Sequence, residues 1–295
     1  MRRLMDKHER DSSGKNKAIP VKLTEEEFNE FVLPFLWQGK RGPKPKIPLY
    51  KIFNYILKVD YTGIQWKELP IELGADGQPE IHYTNIFKKF QKWSEDGSLR
   101  KVFENSVLLL KLHDKLDTEI LHGDGSTTAA KKGGDLVGYS GHKHFKGEKI
   151  IAIVDRNVNV IAPYVQAAGN KNEGPLFVEA MDVLKSIACK IGLDLKGIIM
   201  SLDGAYDSRK NRKLIFNAKM IPNIPENKRN RKKTKRGRKR IYKKEIYQER
   251  FQTVERLFAW EDSFKRLLIR FEHKSKNHLG MKLIAYTMIN LRHFC

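Results

Sequence analysis

The 295-residue chain is 40% hydrophobic and 31% charged, which excludes general disorder and leaves enough apolar content for a sizeable core, in about two domains by length. Lys and Arg number 57 against 35 acidic residues, a formal charge of +22, so the expected partner is a polyanion and nucleic acid is the first candidate. Two cysteines, Cys189 and Cys295, support neither a disulfide framework nor a cysteine zinc site. No run approaches the roughly 18 apolar residues of a membrane span, and Met1-Arg2-Arg3 opens no apolar signal core, so the expectation is a soluble, cytoplasmic protein with no membrane partner.

Residues 1–21 read as a flexible basic arm. Thr24 and Glu27 form a capping-box pattern, and Phe28, Phe31, Val32 and Phe35 then repeat at helical spacing. After the turn-rich stretch 39–46, Leu49, Ile52, Phe53, Ile56 and Leu57 predict a second helix closed by Gly63. A third begins near Thr84, with Ile86, Phe87, Phe90 and Trp93 on its apolar stripe and Lys88, Lys89 and Lys92 off it; Ser98 is expected to cap a fourth. These elements predict a small helical domain over 22–112.

Beyond it the period changes to extended, with strands expected at 118–123, 150–154, 158–165 and 197–202 and a hairpin turn at Asp155-Arg156-Asn157. A helix over 175–191 ends at Gly192, Asp207-Ser208 starts another, and two more are expected at about 247–271 and 277–294. Strands followed by alternating helix and strand make 113–295 a mixed α/β domain. Its basic loop, 226–244, carries twelve positive charges between Lys228 and Lys244; subtracting them still leaves +10.

Acids placed where a hydrophobic strand meets the surface are candidates to hold hard divalent ions, which prefer carboxylate oxygen. Asp124 is expected to end the strand Ile120-Leu121-His122-Gly123, and Asp203 the strand Ile198-Ile199-Met200-Ser201-Leu202; each precedes a glycine. Glu255, among Phe251, Val254, Phe258 and Ala259, is expected on the inward face of a helix, where its charge requires a cation opposite. Singly, each acid also reads as a turn former or a salt-bridge partner. His122, His142 and His144 lie near these acids in sequence, and His142 and His144 would share one side of a strand, yet a third ligand at recognisable spacing is missing, which favours structural or phosphate-contact roles.

Asp124-Gly125-Ser126-Thr127, Asp203-Gly204-Ala205-Tyr206-Asp207-Ser208 and Val254-Glu255-Arg256-Leu257-Phe258-Ala259-Trp260 together resemble the three acidic motifs of bacterial insertion-sequence DDE transposases, family five within the wider family-four group. Gly39-Lys40-Arg41-Gly42-Pro43, the Tyr61–Trp66 motif and Phe90-Gln91-Lys92-Trp93 resemble that family's helical leader. The resemblance implies an RNase H-like, retroviral-integrase-type catalytic domain with a mixed sheet behind a helix-turn-helix-like domain. It implies Asp124, Asp203 and Glu255 as catalytic ligands of two Mg²⁺ ions, with Mn²⁺ as substitute. It also implies hydrolysis at transposon ends and attack of the freed 3′ hydroxyl on target DNA, by at least a homodimer associated with the nucleoid. Tyr247, Arg250 and Glu255 match the wider group's Tyr, Arg, Glu and Lys signature with one extra residue before the Glu. Asp262 stands at the lysine's place, and Lys265 or Arg266 is the expected substitute.

DNA contacts are expected from Lys88, Lys89 and Lys92 on the third helix, with Trp66 and Trp93 packed beneath. The basic approach at His142 and Lys143, the loop residues Arg231, Lys232, Lys233 and Arg238, and Arg250, Lys265 and Arg266 complete the expected set. The rival readings are a metal-dependent nuclease that does not join strands, and an inactivated relative that only binds DNA.

Overall fold

The computed structural model describes residues 18–39, 46–141, 143–163, 166–227 and 240–295. The helical part comprises α1 (Glu25–Phe31), continued by a 3₁₀ turn at Leu33–Phe35, then α2 (Leu49–Thr62), α3 (Tyr83–Glu95) and α4 (Ser98–Leu112). Thr24 and Glu27 close the capping box reciprocally, and Gly63, at φ +72°, ends α2 in the left-handed conformation that a side chain would strain. Ser98 does not cap α4. Gly97 occupies the cap position, and the Ser98 hydroxyl accepts the Trp37 N–H, drawing α4 towards the segment after α1.

The sheet is built from β1 (Ile120–Ala130), β2 (Gly138–Ser140), β3 (Phe145–Val154), β4 (Val160–Pro163), β5 (Ala167–Ala168), β6 (Ile199–Ser201), β7 (Ile221–Asn223) and β8 (Ile269–Arg270). β3 runs antiparallel to β1 and carries β2, β5 and β4 along its outer edge, whereas β6 pairs parallel with β1 and β7 parallel with β6. An antiparallel meander joined to two parallel strands through β1 is the RNase H-like arrangement, here preceded by the helical region. The hairpin at Asp155 forms as expected, its buried carboxylate accepting the backbone N–H groups of Asp117 and Asn159.

One expected strand boundary moves. β1 does not end at Gly123 but runs to Ala130, because Ser126, Thr127 and Thr128 continue the ladder against β3. Asp124 therefore lies within β1, opposite Ala152, rather than at its end.

Helices α5 (Glu173–Ile191) and α6 (Arg209–Asn217) connect the parallel strands; Gly192 closes α5 at φ +67° and Ser208 caps α6. The chain ends in α7 (Lys244–Ser263), α8 (Lys265–Leu268) and α9 (Ser275–Leu291). A helix continuous from 247 to 271 is not formed: α7 stops at Ser263, because Phe264 turns to an extended conformation and buries its ring edge-on against Tyr61 of α2. α9 is buried around nearly its whole circumference and packs on α2, α3 and α4 as well as on β4, so helical region and sheet share one hydrophobic core. No described helix is long and apolar enough to cross a membrane.

That junction is unusually rich in buried charge. Arg270 pairs with Glu148 at 2.6 Å and Asp135 at 2.9 Å, Arg266 with Glu272 at 2.8 Å, and Glu261 accepts from both Lys282 and Tyr286. Asp60 of α2 is buried with neither oxygen hydrogen-bonded among the described residues, and burial holds its carboxyl well above the usual range. Close approach matters too: a Cβ on Gly280 of α9 would collide with the Ser94 side chain of α3. Gly280→Ala is expected to destabilise the fold by about 1–3 kcal/mol through overpacking, measured as a lowered urea midpoint with unchanged slope.

Candidate active site

β1 and β6 run side by side as far as His122 and Ser201, and two residues further on each strand stands an aspartate. β6 ends at that point, so Asp203 caps the following turn, its Oδ1 accepting the Ala205 N–H at 2.7 Å. Asp124 stays in the β1 ladder beside it, 23% exposed, with Oδ1 accepting the Gly125 N–H and Oδ2 bound to Arg250 Nη1 at 2.8 Å. Burial raises the Asp124 carboxyl above its ordinary value; Arg250 and the Gly125 N–H oppose this, and the neighbouring Asp203 charge adds to it. Asp203 is raised as well, by burial first, against the Ala205 N–H and Arg250. One guanidinium, bonded to Asp124 and reaching Asp203 only through its field, is set against two carboxylates, which leaves the pair short of positive charge.

Around the pair are residues that the sequence reading did not single out. Glu173, the first residue of α5, fills the space that the glycine after Asp124 leaves: a Cβ on Gly125 would meet its carboxyl carbon at 2.6 Å. Lys149 of β3 lies 3.2 Å from Glu173, and the buried Tyr206 hydroxyl donates to it at 3.2 Å. Burial pushes Tyr206 well above the usual phenol range, helped by Glu173, Asp124 and Asp203. Glu173 carried no sequence signal beyond the acidic first turn of a helix. At Gly204, by contrast, a Cβ would meet only Pro225, at an ordinary contact distance of 3.9 Å.

Glu255 is not where the apolar pattern put it. The buried face of α7 is Arg250, Thr253, Val254, Leu257 and Glu261, so Val254 takes the inward place and Glu255 is exposed. Five residues beyond Arg250, it is turned about 140° around the helix from the side that meets Asp124. Phe251, counted on the same inward face, is 58% exposed. Among the described residues no three His, Cys, Asp or Glu side chains gather as a metal-ligand group. The donor chemistry of Asp124 and Asp203 fits a hard divalent cation, while the third carboxylate is not assembled with them.

The remaining predicted residues are spread widely. Lys88 and Lys92 are exposed on α3, but Lys89 is half-buried; Lys92 stands over the Trp37 ring at 4.9 Å and Lys89 at 5.7 Å. Trp93 is fully buried and Trp66 packs on Phe87 and Phe90, as expected of core tryptophans. His122 is buried, with Nε2 3.4 Å from Glu249, which Arg156 holds at 2.6 Å. Lys143 and His144 are exposed at the β2–β3 turn. His142, Arg231, Lys232, Lys233 and Arg238 lie outside the described residues. The break after Ser263 takes Lys265 and Arg266 off α7, so position 266 does not return to the Glu255 face; Arg266 is buried against Glu272, and Lys265 caps the Asp262 carbonyl. Arg240, at the end of the basic loop, anchors on Asp207 at 2.6 Å.

Sheet order and paired aspartates define an RNase H-like domain of the DDE nuclease and transposase class. A family profile described as a transposase DDE domain matches residues 109–288, more than half of the chain, and the chain belongs to that family. No curated protein matches it. Among solved structures, the Mos1 transposase paired-end complex with left transposon end is similar at 14% identity and TM-score 0.27, and a pre-cleavage Mos1 transpososome at 12% and 0.26. Each match covers 62% of this chain and 61% of the Mos1 chain, less than two thirds of its length.

Proposed function

We propose that this protein is a transposase of the insertion-sequence family-five type, which binds transposon ends, hydrolyses phosphodiester bonds there and transfers the 3′-hydroxyl strand to target DNA. The observation that carries the reading is the pair formed by Asp124, within β1, and Asp203, just past the end of the adjacent parallel strand β6, in an RNase H-like sheet. These carboxylates would hold Mg²⁺ or Mn²⁺, two ions in the loaded site, with Glu255 as the third acid contributed by α7. Bound metal supplies activation of the attacking oxygen and stabilisation of the leaving one. Arg250 balances the charge of Asp124 and orients it, and Asp203 is fixed by the Ala205 N–H. Glu173 and Tyr206 close the site from the α5 side and limit the space behind Gly125.

DNA would be gripped by Lys88, Lys89 and Lys92, by His142 and Lys143, by the 231–238 segment and by Lys265, within a helical leader spanning about 22–112 and a catalytic domain over 113–295. The basic arm, 1–21, would add non-specific phosphate contacts. Two ends must be held together for transposition, so the active complex is at least a homodimer, at work on the nucleoid. Replacing Lys88 and Lys92 by alanine is expected to flatten the slope of log K against log salt by about 0.9 for each lost phosphate contact, read from anisotropy titrations at several ionic strengths.

The pairing of Asp124 with Arg250 and the exposure of Glu255 favour one rival, a family member that binds DNA without cutting it. Duplexes carrying the sequence that flanks the gene separate these readings. Cleavage in Mg²⁺ or Mn²⁺, its loss in EDTA and joining of pre-cut 3′-hydroxyl ends are expected. Cutting without joining would leave a nuclease, and a gel shift with no cutting would leave the binder.

A further inference from the structure

The sequence from Lys228 to Lys239 holds nine Lys and Arg among twelve residues and no acid. Such a stretch cannot neutralise itself, so whatever fixes its two ends decides where its charge is presented. Those ends, 223–227 and 240–243, are joined at one place. Asn223 exchanges two hydrogen bonds with the Lys243 backbone, its Oδ1 accepting the N–H at 2.8 Å and its Nδ2 donating to the carbonyl at 3.0 Å. Further along, both ends meet the same buried carboxylate: Asp207 Oδ2 accepts the Asn227 N–H at 3.0 Å, and Oδ1 takes Arg240 Nη1 at 2.6 Å. Arg212 of α6 donates to Oδ1 as well, at 2.8 Å, and through Nη2 to the Ile224 carbonyl at 2.8 Å. Burial works against the Asp207 charge, but the Asn227 N–H, Arg212 and Arg240 outweigh it and hold the carboxyl below its usual range. Asp203 and Asp207 cap the two ends of one 3₁₀ turn, Gly204–Tyr206. Within it the Gly204 carbonyl accepts the Asp207 N–H at 3.2 Å and the Asn227 side chain at 3.3 Å, so the base of the basic segment is bonded to the turn that sets Asp203.

We infer that Asp207 is a positioning residue, which ties both ends of the basic segment to the Asp203 turn so that DNA phosphate gripped by the segment is held at the carboxylate pair. A salt bridge that merely closed a loop would need a partner on the opposite stem, and Glu226 already offers one to Arg240 at 3.8 Å. Asp207 lies on neither stem. It stands between β6 and α6, so the bonds it accepts fix the segment relative to Asp203 and not just one stem relative to the other. The inference rests on the DNA-binding part of the reading above, and it concerns how the DNA is placed, not which acids hold metal.

The test compares full-length Asp207→Asn, Arg240→Gln and the double variant with wild type on the duplex that carries the flanking sequence. Asp207→Asn leaves every cation of the segment in place, so its affinity is expected within about threefold of wild type and its salt slope unchanged. Cleavage at saturating DNA should fall about ten- to a hundredfold, the scale of loss when a reacting group is misplaced by about 1 Å. Arg240→Gln should lose the same factor, the double variant no more than either single one, and Arg240→Lys should recover most of it. A readout independent of cutting is photo-cross-linking from an azide moved phosphate by phosphate along the strand. Wild type should capture residues 228–239 from a narrow run of positions, and both single variants from a broad one. The Arg240 side chain is 26% exposed, so Arg240→Gln should keep its fold and carries the test by itself if Asp207→Asn melts well below wild type. Additive losses in the two variants would make Arg240 a plain phosphate contact, and an unchanged cleavage rate with a narrow cross-link pattern would make Asp207 a brace of the fold alone; either result overturns the inference. If wild type binds but never cuts, the catalytic reading falls while a pattern that broadens in the variants still supports the tie and one that does not refutes it. If wild type binds no duplex, both fall.

Discussion

Asp203→Asn is expected to reduce metal-dependent strand cleavage by at least about 10³-fold, since under the proposed function it removes a metal ligand and with it several kcal/mol of transition-state stabilisation, each 1.36 kcal/mol being tenfold. The substitution is a clean one. Asp203 Oδ1 accepts the Ala205 N–H, and the carbonyl oxygen of asparagine can accept it equally, so the turn that ends β6 survives while the charge is lost. Asp124→Asn should abolish cleavage too, but it also strips the buried Arg250 of its ion-pair partner, and a lower melting temperature is expected alongside the lost activity. Measuring cleavage of a labelled duplex and the melting curve for both variants separates the two effects. If Asp203→Asn cuts at the wild-type rate, the carboxylate pair is not the reacting centre.

The second large effect concerns stability. Arg270 is 1% exposed and donates to Glu148 and Asp135 and to the carbonyls of Glu272 and His273. Arg270→Met would leave Glu148 buried without its cation, a loss of about 3–5 kcal/mol, or on the order of 10 °C in melting temperature for a chain of this size. Its pH dependence has a definite sign. Burial already raises the Glu148 carboxyl from 4.5 to about 7 against the pull of Arg270. A raised carboxyl keeps its proton in the folded state, so stability falls as pH rises from about 4.5 towards 7. Without Arg270 the folded value climbs further and the fall continues above neutrality, so the deficit of the variant should be largest at pH 8 and shrink towards pH 5. Thermal melts across that range would show it; a variant melting within a degree or two of wild type at pH 8 would contradict the argument.

The local signals in the sequence were reliable where one residue governs one bond. The Thr24 and Glu27 capping box, the left-handed closures at Gly63 and Gly192, the Asp155 hairpin and the Ser208 cap all formed, because each depends on a few neighbouring atoms. Where tertiary packing competed, the expectation moved. Phe264 found Tyr61 and broke a helix that the apolar period alone would have continued, and the Ser98 hydroxyl went to Trp37 rather than to its own helix. Arg250, read as a DNA contact, is seated on Asp124, a pairing across 126 residues that no local pattern could announce.

The candidate site divides along the same line. Two aspartates next to hydrophobic runs were legible because strands deliver alternate side chains to a fixed face and because those runs are strongly apolar. That the two stand side by side follows from the parallel register of β1 and β6, which is set by contacts between segments some eighty residues apart. The helix phase that exposes Glu255 was likewise decided by tertiary burial: with Arg250 drawn to Asp124, Val254 and Leu257 face inward and the next residue cannot. Composition and periodicity therefore determined the polyanion-seeking charge, the helical-then-mixed order of elements and the carboxylate candidates. Long-range burial decided which of those carboxylates meet and which cations stand beside them, because the free energy of burying a charge depends on partners that the chain brings together only when it folds.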